Sequence, residues 1–276
     1  MNDIGIVTLV LTLLNLVVSY KGFKNTAFYY NHSFIVDEIL IHKEYGRLVT
    51  SGFLHTSWMH LIFNMMSLCF FSGAVEAVLG IKYFLFIYMT SMVGGNLLLL
   101  FVHRHHGDYS AVGASGAVCG IIFASIALFP GMGIGFFGIP LYIPGWIYGA
   151  GYTLYTIMKI KSNNDSTAHE AHLGGAFIGL LFAICLHPKV VTENYLPLLA
   201  MILPCLVFLY VLFRKPHVLL TSNSTVKQYR NIDDLYNQQR SIQQQEIDTI
   251  LEKIHHNGIN SLSEEERLKL QQYAER

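Results

Sequence analysis

The chain carries no net charge, its 18 lysines and arginines being balanced by 18 aspartates and glutamates. Without a basic excess to neutralise phosphates, nucleic acid is not expected as a partner. Cysteine is scarce too. Cys69, Cys119, Cys185 and Cys205 sit in apolar stretches without CxxC spacing, which excludes a secreted disulfide framework and reads as packed thiols. The apolar stretch at residues 4–18 lacks a preceding basic residue and a small-x-small cleavage motif, so it reads as a retained first span rather than a signal peptide. Most of the chain lacks charge of either sign. Residues 214–276 hold 9 basic and 9 acidic side chains, leaving only 18 of the 36 for the first 213 residues. With 53% hydrophobic residues overall, this implies a membrane-embedded domain followed by a water-exposed tail, and argues against a soluble single-core enzyme.

Seven apolar windows approach the ~20 residues a helix needs to cross a bilayer. They fall at about residues 3–20, 59–79, 81–102, 113–129, 141–160, 168–186 and 194–213. The predicted fold class is therefore all-α, a polytopic membrane helix bundle. Its expected divisions are 1–39, a first span and the start of a membrane-lying loop; 40–188, the core; 189–213, a seventh span; and 214–276, a polar tail with short helices. Pro130, Pro140 and Pro144 break the chain between spans four and five. In the tail, a helix is predicted from Ile232 to His256, with Asn257-Gly258 as its stop. Ser263 and Glu266 read as a capping box for a last helix ending near Ala274. The tail reads as a solvated appendage whose partner the sequence does not identify.

Polar groups inside apolar spans are expensive, so each is a functional suspect. His60 and Asn64 lie one helical turn apart and share a face of the second span. Gly113-Ala-Ser115-Gly116 puts a hydroxyl at the start of the fourth span, where free backbone N–H groups favour negative charge. His172 opens the sixth, followed by Gly175, Ala176 and Gly179. Proton transfer needs serine oxygen and imidazole nitrogen within roughly 2.6–3.2 Å. Gly116 and Gly120 facing Gly175 and Gly179 would let the two backbones come that close in lipid. Ser115 as nucleophile and His172 as base then form a dyad, with His60, Asn64 and the Ser115 N–H as oxyanion donors. Glu76, about 24 Å along the helix from His60 at 1.5 Å per residue, is expected to pack the far end of the second span. Glu170 is expected to point away from His172.

These residues resemble the rhomboid family of intramembrane serine proteases. The likeness rests on Tyr45-Gly-Arg47, the run from His55 to Asn64, Gly73-Ala-Val-Glu76-Ala-Val-Leu-Gly80, Gly113-Ala-Ser115-Gly116 and Ala171-His172-Leu-Gly174-Gly175, over roughly residues 40–188. It is specific because these motifs occur in this order at the heads of their spans; a Gly-x-Ser-x-Gly-like fragment alone would be weak. The resemblance implies a Ser115–His172 dyad, His60 and Asn64 as oxyanion donors, no cofactor, and hydrolysis of a peptide bond in or near a transmembrane helix of a membrane-protein substrate. It also implies a multi-pass protein of a bacterial cell membrane. Two departures stand out. Gly46 occupies a position where the family often has Trp, which predicts a loosely anchored Arg47. Cys119 replaces an aromatic ring that stacks on the base in many members, which predicts a loosely held His172.

Three other readings are weaker. A zinc protease needs His-Glu-x-x-His, whereas His169-Glu170-Ala-His172 spaces its histidines by three, and His103, His105 and His106 read as loop residues; no metal is expected. An inactive rhomboid-like protein would bind transmembrane clients without cutting them, and the joint presence of Ser115, His172, His60 and Asn64 disfavours it. A transporter would be expected to show repeats and midplane charges. For the protease, residues 161–167 are the expected lid and the fifth span, with Gly145, Gly149 and Gly151, the expected lateral gate. Orientation is contested. The family opens outward, while Lys21, Lys24, Lys43 and Arg47 in the first loop, against Lys82 and Lys189, favour the reverse under the positive-inside rule. The expectation follows the family.

Overall fold

The computed structural model describes residues 5–136, 139–162 and 167–214, together with eight positions between Ile250 and Leu270. Residues 163–166 of the expected lid, and most of the two tail helices, lie outside the described residues. The chain divides into two units, Met1–Gln228 and Tyr229–Arg276.

In chain order the first unit contains α1 (Ile6–Lys24), α2 (Thr26–His32), β1 (Phe34–Ile35), α3 (Val36–Leu40), α4 (Arg47–Thr50), a 3-10 turn (Ser51–Phe53), α5 (Trp58–His103), β2 (Ser110–Ala111), α6 (Ser115–Leu128), β3 (Gly133–Phe136), β4 (Ile139–Pro144), α7 (Gly145–Ser162), α8 (His169–Leu186), α9 (Lys189–Glu193) and α10 (Tyr195–Arg214). This is the helical membrane bundle expected from the apolar windows. Among the described residues, α1, α5, α8 and α10 are long and apolar enough to cross a bilayer. α5 is two helices joined at Gly80, whose φ of 78° and ψ of 166° belong to a region open essentially to glycine. The boundary between the second and third windows thus falls on one residue, and no loop separates the two spans.

α6 is the axis of the bundle. Every residue from Gly116 to Leu128 is buried, against α5 on one side and α8 on the other. Its apolar, small-residue sequence is suited to that position, since a helix apolar all round belongs in an interior. Fourteen residues rise about 21 Å at 1.5 Å per residue, short of the ~30 Å hydrocarbon core. Set across a bilayer, a helix of this length would leave at least one end within the hydrocarbon. Buried polar side chains join the helices: Ser125 Oγ donates to the Phe71 carbonyl at 2.7 Å, and Asn15 Nδ2 lies 3.4 Å from the Tyr88 hydroxyl.

Close packing of α6 on α8 comes from glycines. A Cβ on Gly175 would collide with the Gly116 carbonyl oxygen, and one on Gly179 with that of Gly120. α5 also approaches α8 closely, since a Cβ on Gly174 would stand 3.0 Å from the Gly95 Cα. On the outer flank, α10 lies along α7, with the Met201 side chain filling the space beside Gly149. α10 also closes a cluster of Val102, Ile160, Leu173, Cys205, Phe208 and Leu212.

The segment between α1 and α5 is tied down by backbone pairing. β1 and β2 pair antiparallel, Phe34 opposite Ala111 and Ile35 opposite Ser110, and the Gly113 N–H donates to the Ser51 carbonyl at 3.0 Å. These contacts fix the chain immediately before α6.

In the second unit Ile250 and Leu262 are buried, with Ile254 and Leu270 packed on them. The expected capping box is formed: Glu266 N–H donates to Ser263 Oγ at 3.2 Å, and Ser263 N–H to Glu266 Oε2 at 2.7 Å. Lys253 Nζ meets the same carboxylate at 2.8 Å.

Candidate active site

Ser115 and His172 each stand at the first turn of a helix, and the glycine contacts between α6 and α8 bring them together. His172 Nε2 lies 2.7 Å from Ser115 Oγ, and both residues are only partly buried. That is the distance proton transfer requires. Burial would have hidden the pair from substrate and water.

The residue before this turn is constrained twice. Gly113 has φ +143°, and a Cβ there would sit 2.8 Å from His60 Cε1, 3.1 Å from His60 Nε2 and 3.5 Å from Ser115 Oγ. Only glycine satisfies both the dihedral and the space. The same distances put the His60 ring beside the serine. Its Nδ1 lies 3.2 Å from Thr56 Oγ1, and His55 meets its ring edge-on with centroids 4.9 Å apart. Asn64 is buried one turn on, and its Nδ2 donates to the His60 carbonyl at 2.9 Å. The amide keeps a second N–H.

Behind His60, Ser19 Oγ donates to the Phe53 carbonyl at 3.0 Å. With its one proton so used, it accepts from His55 Nδ1 at 2.9 Å. His55 Nε2 then carries a buried lone pair with no hydrogen-bond partner among the described residues. Burial foremost, with the nearby His60, pushes the His55 pKa down to about 3, so this ring is neutral.

The loosely held base expected from Cys119 is not what the structure contains. Tyr152, on α7, brings its hydroxyl to 3.0 Å from His172 Nδ1, and Cys119 Sγ lies 3.5 Å from that hydroxyl. The small thiol leaves room for a ring arriving from another helix. Glu170 is turned away, as expected: its Oε1 lies 3.5 Å from His103 Nε2. The His169 ring meets that of His172 edge-on at 5.9 Å. Among the described residues no group of three His, Cys, Asp or Glu is placed to hold a metal ion.

The loosely anchored Arg47 expected from Gly46 is likewise overturned. Arg47 is 5% exposed, and its Nη1 donates to the carbonyls of Tyr30 at 2.6 Å and Ser33 at 2.9 Å. Nε pairs with Glu44 Oε2 at 2.6 Å, and the guanidinium lies over the Tyr30 ring at 5.6 Å. A planar fork with several donors needs no tryptophan beside it. Glu76 stands apart from the dyad, its carboxylate against Gly5 at the start of α1.

Of the residues singled out in sequence, Ser115, His172, His60, Asn64, Gly113, Gly116 and Gly175 come together; Arg47 holds the first loop, and Glu76 packs elsewhere. Tyr152 was missed. Its one sequence signal was the vacancy implied by Cys119.

The Rhomboid domain matches residues 42–189, and a family of unknown function, DUF6576, matches residues 230–276. Rhomboid-like protein 16, chloroplastic, of Arabidopsis thaliana is 28% identical over 49% of this chain and 47% of its own length. Rhomboid protein 1, mitochondrial, of Saccharomyces cerevisiae is 28% identical over 54% of this chain and 45% of its own. Rhomboid protease GlpG of Photorhabdus laumondii is 31% identical over 65% of this chain and 61% of its own. The chain thus spans about half the length of the first two and somewhat more of the third. Since the domain match covers more than half of the chain and takes in both the serine and the histidine, this integral membrane protein belongs to the rhomboid family.

Proposed function

We propose that the protein is an intramembrane serine protease, hydrolysing a peptide bond in or near a transmembrane helix of another membrane protein. The observation that carries this reading is the 2.7 Å separation of Ser115 Oγ and His172 Nε2 at partly exposed helix starts. His172 takes the Ser115 proton as the oxygen attacks the scissile carbonyl carbon. The resulting oxyanion is met by the Ser115 N–H, the His60 ring and the free N–H of Asn64. His172 then gives its proton to the departing amine, and water, deprotonated by the same ring, releases the acyl group.

Lipid favours intact helices because their backbone groups are paired internally. A weakly helical substrate segment would therefore be cut preferentially. We propose a bacterial cell membrane with the site opening outward; the relatives named above include one from Photorhabdus laumondii beside chloroplastic and mitochondrial ones, so a tagged form located by fractionation tests the compartment.

The test is cleavage of a labelled single-span substrate by the detergent-solubilised protein, by Ser115→Ala and by His172→Ala. Loss of cleavage in both variants is expected. Equal cleavage in all three removes the dyad, and capture of the substrate without cleavage by wild type would establish a client-binding protein instead.

A further inference from the structure

A serine–histidine pair leaves the second imidazole nitrogen to be managed. Two neutral tautomers are open to His172. Only one, with the proton on Nδ1, presents a lone pair on Nε2 to accept the Ser115 proton; the other points an N–H at the serine and cannot act as its base. Whatever meets Nδ1 decides between them. In serine hydrolases with a third member a buried carboxylate does this, but the nearest acidic neighbour in sequence, Glu170, faces His103.

Here Nδ1 is met by the Tyr152 hydroxyl at 3.0 Å. A phenol can donate or accept, so its own surroundings matter. Cys119 Sγ, 3.5 Å from the phenol oxygen, is a partner to which the Tyr152 O–H can donate a hydrogen bond. The oxygen lone pairs are then free to accept from Nδ1–H. The ring itself is held by aromatic neighbours, stacked on Tyr148 at 5.9 Å and tilted against Phe123 at 6.1 Å. Cys119 thus leaves room for Tyr152 to reach the base and places a sulfur where the arriving hydroxyl can donate.

We infer that Tyr152 is a positioning residue for His172, its phenol oxygen accepting from Nδ1–H and thereby holding the base in the tautomer that can deprotonate Ser115. This rests on the protease reading for its catalytic consequence, but the tautomer claim does not depend on it. Tyr152 lies on α7 whereas Ser115 and His172 lie on α6 and α8. The state of the base accordingly depends on α7 being seated against the other two helices.

The variant is Tyr152→Phe, which deletes one oxygen and keeps the stacked ring. The full chain, labelled with ring-15N histidine in detergent micelles, is compared with the variant by NMR, with the His172 signals assigned through His172→Ala. Wild type is expected to show a pyrrole-type Nδ1 and a pyridine-type Nε2 at His172. In Tyr152→Phe the two nitrogens move toward averaged or exchanged character. Alongside, kcat for a labelled single-span substrate is expected to fall about tenfold with KM little changed, the size of one hydrogen bond to the base. Unmoved His172 signals overturn the inference, as does a kcat within about twofold of wild type despite moved signals. Moved signals in a protein that cleaves nothing, wild type included, would leave the positioning role standing and reject the protease.

Discussion

Gly175 in α8 rests directly on the carbonyl oxygen of Gly116 in α6, with no room between them for one methyl group. Helix packing is not merely tight at this point; backbone touches backbone, and neither side can rotate away. The converse substitution meets a softer obstacle. A Cβ on Gly116 would stand 3.2 Å from the Ala171 carbonyl, which needs only a few tenths of an ångström of adjustment.

Gly175→Ala is therefore expected to destabilise by about 3 kcal/mol or more and to separate Ser115 from His172, whereas Gly116→Ala should cost under about 1.5 kcal/mol. Reversible unfolding in mixed micelles measures the first quantity. Cleavage by the same preparations measures the second. A larger penalty for Gly116→Ala would show that the contact surface is not where the glycines place it.

Gly113 separates activity from stability. Alanine there meets an unfavourable φ of +143° and the His60 ring, both at the edge of the bundle rather than in its packed centre. The expected outcome is a modest loss of stability, about 1–3 kcal/mol, with cleavage reduced by more than about a hundredfold, because a displaced His60 cannot meet the oxyanion. Thermal unfolding and kcat on one substrate check the pair of values.

Glu38, in α3, titrates with a predictable sign. Burial alone would raise its pKa from the usual 4.5, yet hydrogen bonds from His42 at 2.7 Å and Tyr30 at 2.8 Å and the charge of Arg47 outweigh it and leave the value lowered. A carboxylate whose folded pKa lies below its unfolded one contributes stability above about pH 4.5, and that contribution is lost as pH falls through the folded value. Glu38→Gln should therefore lower Tm at neutral pH, with the gap to wild type closing as the pH is taken below 4.5. A gap that widens on acidification contradicts the assignment.

The long apolar helices α1, α5, α8 and α10 and the approach of Ser115 to His172 were readable because lipid imposes strong rules on sequence, whereas the fifth window, 141–160, opens in β4 instead of a helix. Gly80 separated two apolar windows, and the chain does break there. Ser115 and His172 were conspicuous as polar groups at the heads of apolar helices flanked by glycines. What could not be read were interactions without a residue-type signature. Arg47 is anchored by the backbone carbonyls of Tyr30 and Ser33, which any sequence supplies. Tyr152 belongs to a helix rich in tyrosine, and nothing in residues 145–162 says which of Tyr148, Tyr152 and Tyr155 meets a histidine twenty positions later. Cys119 held the clue, but a missing ring reads as a weakness until the ring that replaces it is seen.

The seating of Met201 beside Gly149 has a mechanical corollary. If a substrate enters by displacing α7, the displacement must either drag α10 along or unzip it, and unzipping uncovers the thioether of Met201 where a glycine had received it. Entry would then be resisted by a two-helix paddle rather than a single hinged rod. Its lipid footprint, and with it the viscous drag on its motion, is correspondingly larger.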